Sequence, residues 1–103
     1  MRYYALEKLI NLHDGYRKTF KIDEYHLLLI QEEGERFLVD AYCPHREHSL
    51  IDATVFGDTI TCPHHRYQFH LATGAVLERT EEPCQNLRCY PLVEEGREVG
   101  VVL

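Results

Sequence analysis

Two short clusters, Cys43-Pro44-His45 and Cys62-Pro63-His64-His65, set the terms on which this chain of 103 residues can fold. Each couples a thiolate to an imidazole, as Cys-x-His in one and Cys-x-x-His in the other, with 16 residues between His45 and Cys62. A thiolate is a soft, charged sulfur donor and a neutral imidazole a borderline nitrogen donor, a pairing that suits iron, zinc or copper. For four such donors to meet, the fold has to bring two loops side by side. The donors admit two centres. One is a tetrahedral structural zinc held by all four. The other is a [2Fe-2S] cluster with Cys43 and Cys62 on one iron and His45 and His65 on the second. Pro44 and Pro63 each fix one backbone dihedral beside a cysteine, which limits the conformations from which the loops close on metal.

The rest of the chain reads as the scaffold that brings the loops together. Apolar residues recur with period two or in short runs, and glycines fall where hairpins would turn, which predicts antiparallel sheet and little helix. Strands are expected over 3–9 and 16–22, separated by a turn at 13–15. In the second, Tyr16, Lys18, Phe20 and Ile22 alternate with Arg17, Thr19 and Lys21, so one face is wetter. The run 25–31 is almost wholly apolar, and 32–36 turns it back into 37–42, a hairpin that feeds the first cluster. The segment 54–62 carries a Gly57-Asp58 turn and delivers the chain to Cys62, which sets the two loops, at about 42–50 and 61–69, next to each other. A hairpin over 67–77 points Phe69 and Leu71 one way and His70 the other, and 78–86 is a polar connection. A closing hairpin pairs 87–93 with 98–103 around Glu95-Gly96. The expected fold class is all-β: an antiparallel sandwich or open barrel, one domain over 1–103, with a small two-loop subdomain carrying the metal centre at its tip.

Charge and composition narrow the partners. Eleven Lys and Arg against 17 Asp and Glu leave a net charge of -6, the wrong sign for nucleic acid. The acidic runs Glu32, Glu33, Glu35 and Glu94, Glu95, Glu98, with Glu78, Glu81 and Glu82 between them, read as solvated turns. No apolar run approaches the roughly 20 residues of a membrane span. The first 15 residues hold neither an uninterrupted apolar segment nor a small-residue cleavage site, so a cytoplasmic address and no membrane partner are expected. Cys84 and Cys89 stand outside the two clusters and are read as reduced thiols rather than as a redox pair. His13 and His26 have no donor partner at metal spacing and are read as a turn and a strand residue.

On these residues the chain resembles the Rieske ferredoxin family, whose loops read Cys-x-His and then Cys-x-x-His after a gap of this length, commonly with proline after each cysteine. Cys43, His45, Cys62 and His65 match residue by residue, and Tyr67 and Phe69 meet the aromatic positions that follow the second histidine. The run Leu-Ala-Thr-Gly-Ala-Val-Leu at 71–77 is similar to the family's strand, Thr-Gly turn and strand, and the likeness extends over nearly the whole chain. Two positions depart from the pattern: Arg66 stands where glycine is usual, and Glu47 where a small residue or glycine is usual.

The resemblance implies one [2Fe-2S] cluster held by Cys43, His45, Cys62 and His65, with His48 and His64 outside the ligand set. It implies one-electron transfer, with no substrate and no enzymatic activity of the protein's own. Neutral histidines in place of thiolates lower the cluster's negative charge and make adding an electron easier. Similar ferredoxins take electrons from a flavoprotein reductase and pass them to a terminal oxygenase or reductase, and such redox proteins are the expected partners of a monomeric carrier. The contact surface would be the tip, with Arg46, His48, His64 and Arg66. One alternative is a small iron-sulfur subunit of a larger reductase such as a nitrite reductase, although those relatives often lack the four ligands. Another is a structural zinc module. High-potential members of the family carry a disulfide between the loops and hydroxyl donors near the cluster. The corresponding positions here are His48 and His64, then Tyr67 and Phe69, which implies a potential toward the low end of about -150 to +300 mV.

Overall fold

A computed structural model describes residues 1–44, 48–63, 66–78 and 85–103 of the chain. In chain order its strands are β1 Tyr3–Lys8, β2 Arg17–Ile22, β3 Tyr25–Glu32, β4 Glu35–Asp40, β5 Thr54–Phe56 and β6 Thr59–Thr61, followed by β7 Gln68–His70, β8 Val76–Glu78, β9 Cys89–Tyr90, β10 Val93–Glu95 and β11 Glu98–Val102. They form three sheets, in the orders β1-β11-β10, β2-β3-β4-β9 and β5-β6-β7-β8. Every pairing is antiparallel.

The apolar run in β3 follows from its place in the middle. Leu28 and Ile30, with Phe37 and Val39 of β4, pack in one core with Ile60 and Phe69 of the third sheet. Leu27, Leu29 and Leu38 point the other way, into a second core with Val99 and Val101 of β11. A strand buried on both faces loses the polar half of its alternation. The sheet β2-β3-β4-β9 is therefore the central layer, and each fully buried leucine or isoleucine on it contributes about 1.5–3 kcal/mol. The loop region has a four-stranded sheet of its own, β5-β6-β7-β8: the second loop joins β6 to β7, and the first runs from β4 of the central layer to β5.

Turn chemistry fixes the registers. Glu33 (φ 52°) and Gly34 (φ 79°) are both left-handed, the type I′ pattern of a tight hairpin, so the turn is these two residues rather than 32–36. Asp14 brackets it by accepting from the Gly34 N–H at 2.9 Å and from Gln31 Nε2 at 3.2 Å, and those bonds lower its pKa. Gly74 (φ 79°) is demanded by a close crossing, because a Cβ there would lie 1.7 Å from the Leu87 carbonyl oxygen. The Leu87 N–H donates to the Gly74 carbonyl at 2.7 Å, which ties the third sheet to the strand that joins β4.

Three expectations change in detail. β1 stops at Lys8, and Leu9–Asn11 is a 3-10 turn closed by the Leu12 N–H on the Leu9 carbonyl. The stretch 87–93 is not one strand: β9 pairs with β4 and β10 with β11. Pro91 stands between them, where a missing N–H breaks the ladder and lets the chain change sheets. The last turn is Gly96-Arg97, one residue later than expected, with Gly96 supplying φ 61°.

Candidate metal centre

Both cysteine loops are built alike. After β4, the Leu50 N–H donates to the Ala41 carbonyl at 2.8 Å, Tyr42 bridges Ser49, and the Cys43 N–H donates to the His48 carbonyl at 2.7 Å. After β6, Ile60 pairs with Phe69 and Thr61 with Gln68, and the Cys62 N–H donates to the Tyr67 carbonyl at 2.8 Å. Each cysteine thus sits on the last rung of a hairpin, bonded to the residue five positions on. The four residues that separate the two partners of each rung in sequence, 44–47 and 63–66, include His45 and His65.

Cys43 and Cys62 are each 1% exposed, belong to the same core cluster and form no disulfide. Two buried thiols in one core, each followed by a histidine at Cys-x-His or Cys-x-x-His spacing, suit a mixed sulfur and nitrogen donor set. His45 and His65 lie outside the described residues, as do Arg46, Glu47, His64 and Cys84. Among the described residues no group of three or more His, Cys, Asp or Glu is placed to hold a metal ion.

The remaining histidines and the described thiol have local roles. His13 Nδ1 lies 3.0 Å from the Asp14 carbonyl, and its ring is edge-on to Tyr16. His26 is edge-on to Tyr42. His70 Nε2 donates to Asp58 at 3.0 Å while its Nδ1 accepts from the Thr73 N–H at 3.3 Å. The Cys89 thiol donates to the Leu71 carbonyl at 3.2 Å, and burial first, then the Asp40 charge, raises its pKa. That suits an inert thiol.

Two features near the loops have no local signature in the sequence. Arg17 sits in the alternation of β2, yet its Nη1 donates to the Ile51 carbonyl at 3.1 Å and to the Ala53 carbonyl, holding the segment that leaves the first loop against the central layer. Arg88 is two residues before Tyr90, whose hydroxyl donates to Asp40 Oδ1 at 2.6 Å, just before that loop begins. Burial first, and that bond second, raise the Tyr90 pKa. The departure at Arg66 has a geometric counterpart: its φ is 56°, the left-handed backbone a glycine would adopt freely. Tyr67 and Phe69, the two aromatic positions, are both fully buried. No described buried side-chain N or O atom, the Tyr67 hydroxyl included, lacks a hydrogen-bond partner.

Residues 2–91 match the Rieske [2Fe-2S] domain family. The chain is 34% identical over 80 residues to the biphenyl dioxygenase ferredoxin subunit of Pseudomonas sp. (strain KKS102), covering 77% of this chain and 72% of that protein. It is 38% identical over 69 residues to cholesterol 7-desaturase nvd of Hemicentrotus pulcherrimus, covering 66% of this chain but spanning only 12% of the desaturase. Among solved structures, the Sphingomonas yanoikuyae B1 ferredoxin superposes with a TM-score of 0.80 at 28% identity, over 97% of each chain.

Proposed function

Because the chain belongs to the Rieske [2Fe-2S] domain family, with one [2Fe-2S] cluster as its cofactor, we propose that it is the ferredoxin component of an oxygenase system. In this reading it carries one electron at a time from a flavoprotein reductase to the oxygenase, and it has no organic substrate and no turnover of its own. The support is a relative of similar length that is itself a dioxygenase ferredoxin subunit, 72% of which is covered. A solved ferredoxin matched over 97% of both chains adds to it.

The proposed ligands are Cys43 and Cys62 on one iron and His45 and His65 on the other. The observation that carries this is the pair of matched hairpins, each ending in a buried cysteine that forms no disulfide and is followed in sequence by its histidine. When bound, the cluster supplies a site that is reduced and reoxidised by one electron. The core residues packed around Cys43 and Cys62 would shield the two cysteine ligands from solvent. Cys43, Cys62 and Cys89 form no disulfide, which fits a reducing compartment, so the proposed address is the cytoplasm. No helix among the described residues is long and apolar enough to cross a membrane.

The test is anaerobic coulometry of the purified protein, followed by mixing of the reduced form with an oxygenase and its substrate. One electron per chain, and oxygenase product formed in proportion to reduced carrier, are expected. A colourless zinc protein, or product formation indifferent to the carrier, would refute the reading.

A further inference from the structure

The end of the molecule that carries the loops has a different charge beside each of them. Leu27 pairs with Asp40, and the Ala41 N–H donates to the His26 carbonyl at 2.8 Å. That register places the β2–β3 turn, Asp23-Glu24, at the same end as the first loop. Between the turn and the loop runs a cleft of 360 Å³ bounded by Glu24, Tyr42, Pro44, Arg88 and Tyr90, with Cys43 in its wall. Arg88 and Asp40, opposite charges that both line the cleft, offset each other. Glu24 and Asp23 are exposed, and no described residue forms an ion pair with either. Among the described residues the Glu24 carboxylate is therefore left without a counter-charge, next to aromatic surface, with Tyr42 42% exposed.

Beside the second loop the sign reverses. Arg66 is exposed, directly follows His65, and pairs with no described residue. The acidic run at the β3–β4 turn lies elsewhere, whereas the backbone of Glu78 pairs with Gln68 on the second-loop side. Glu32, Glu33 and Glu35 flank the β3–β4 turn, at the end of β4 opposite Asp40, and Glu94 joins them there through Arg36 at 3.3 Å. Six residues of β4 put about 17–20 Å between that turn and the loops.

We propose that these two poles form a docking register. The redox partner presents a basic side chain to the cleft beside the first loop and an acidic group to Arg66 beside the second, so that it settles over the loops in one rotational orientation. This rests on the carrier reading above and adds the chemistry of the partner's face. A lysine or arginine in the cleft meets the Glu24 carboxylate and the tyrosine faces together, a combination that stabilises a cation in both ways. Turning the partner half a revolution would set like charges against each other at both poles, which is how charge patterns reject wrong arrangements.

Two small outer-sphere oxidants of opposite charge test the poles without the partner. Hexaammineruthenium(III), a cation, and ferricyanide, an anion, each take one electron from the reduced, cluster-loaded protein, with no proton moved, and the rates are read by stopped flow at low salt. Glu24→Gln is expected to slow the ruthenium reaction about three-fold and not the ferricyanide one, and Arg66→Gln to slow ferricyanide about three-fold and not ruthenium. Glu33→Gln, the same charge change at the far end, should alter neither, and the differences should vanish near 1 M salt. If Glu33→Gln matches Glu24→Gln, or if the two site variants fail to cross over, the register is overturned. A wild-type protein that yields no electron to either oxidant would instead refute the carrier reading.

Discussion

Replacing Arg66 by glycine should make the protein more stable, although glycine ordinarily destabilises what it enters. The residue has φ 56°, where a Cβ costs about 1–2 kcal/mol and glycine incurs no such penalty. Glycine returns part of that gain through its greater freedom in the unfolded chain, up to about 1 kcal/mol. No described residue pairs with the guanidinium, so no bond to the described structure is lost. The net for Arg66→Gly is a gain of about 0.5–1 kcal/mol. Arg66→Ala, which keeps the Cβ and the strain, should change stability by less than about 0.3 kcal/mol. With a urea slope near 1 kcal/mol per molar, the glycine variant's midpoint rises by about 0.5–1 M. Anaerobic urea titration of the cluster-loaded protein, read by far-ultraviolet circular dichroism with visible absorbance followed in the same sample, measures this. A glycine variant no more stable than the alanine one would refute the strain argument.

Three further outcomes are expected. The Glu7 carboxylate accepts from Asn11, Tyr16 and the Lys8 N–H, which hold its pKa down to about 2. Because a lowered carboxylate pKa stabilises the fold above its unfolded value of 4.5, Glu7→Gln should cost about 1 kcal/mol at pH 7 after solvent screening. The gap to wild type should close as the pH falls from 5 toward 2, and a pH-independent gap in urea midpoints would contradict this. Gly74→Ala, whose methyl would meet the Leu87 carbonyl, should lose 3 kcal/mol or more, on the order of a severe core or backbone lesion, or fail to accumulate as folded protein. A near-neutral midpoint would be inconsistent with the crossing. Phe69, fully buried in the same core as Cys62, offers no hydroxyl. A hydrogen bond to a charged group is worth about 1.5–3 kcal/mol, and 59 mV corresponds to about 1.4 kcal/mol for one electron. Phe69→Tyr should realise a fraction of that and raise the potential by tens of millivolts in protein-film voltammetry. An unmoved value would remove the explanation, and a wild-type potential well above zero would remove the low-potential expectation.

How legible the chain was depended on whether the cause was local. Alternation in 16–22 and the glycines at 34, 57 and 96 are local, and the strands and most of the turns fall where they indicate. The run at 25–31 gave a buried strand but not its neighbours on both faces, because periodicity cannot say what covers a strand. The change of sheet at Pro91 was signalled by the proline and overlooked inside an otherwise apolar segment. In the site, the cysteine and histidine spacing marked the loops, and the family resemblance marked the aromatic positions that follow them. Arg17 reaching Ile51 and Ala53, and Glu24 arriving beside Pro44, depend on contacts between distant segments and leave no mark in the local pattern.

The account turns on two histidine nitrogens and two cysteine sulfurs holding one [2Fe-2S] cluster. Pulsed electron paramagnetic resonance of the dithionite-reduced protein, grown with ¹⁵N-labelled histidine, reads those nitrogens directly. Two coupled histidine nitrogens are expected in the wild type and in His48→Ala and His64→Ala, with the spectrum lost or replaced in His45→Ala and His65→Ala. A reduced cluster without histidine coupling, or one abolished by His64→Ala alone, would contradict the assignment at its root.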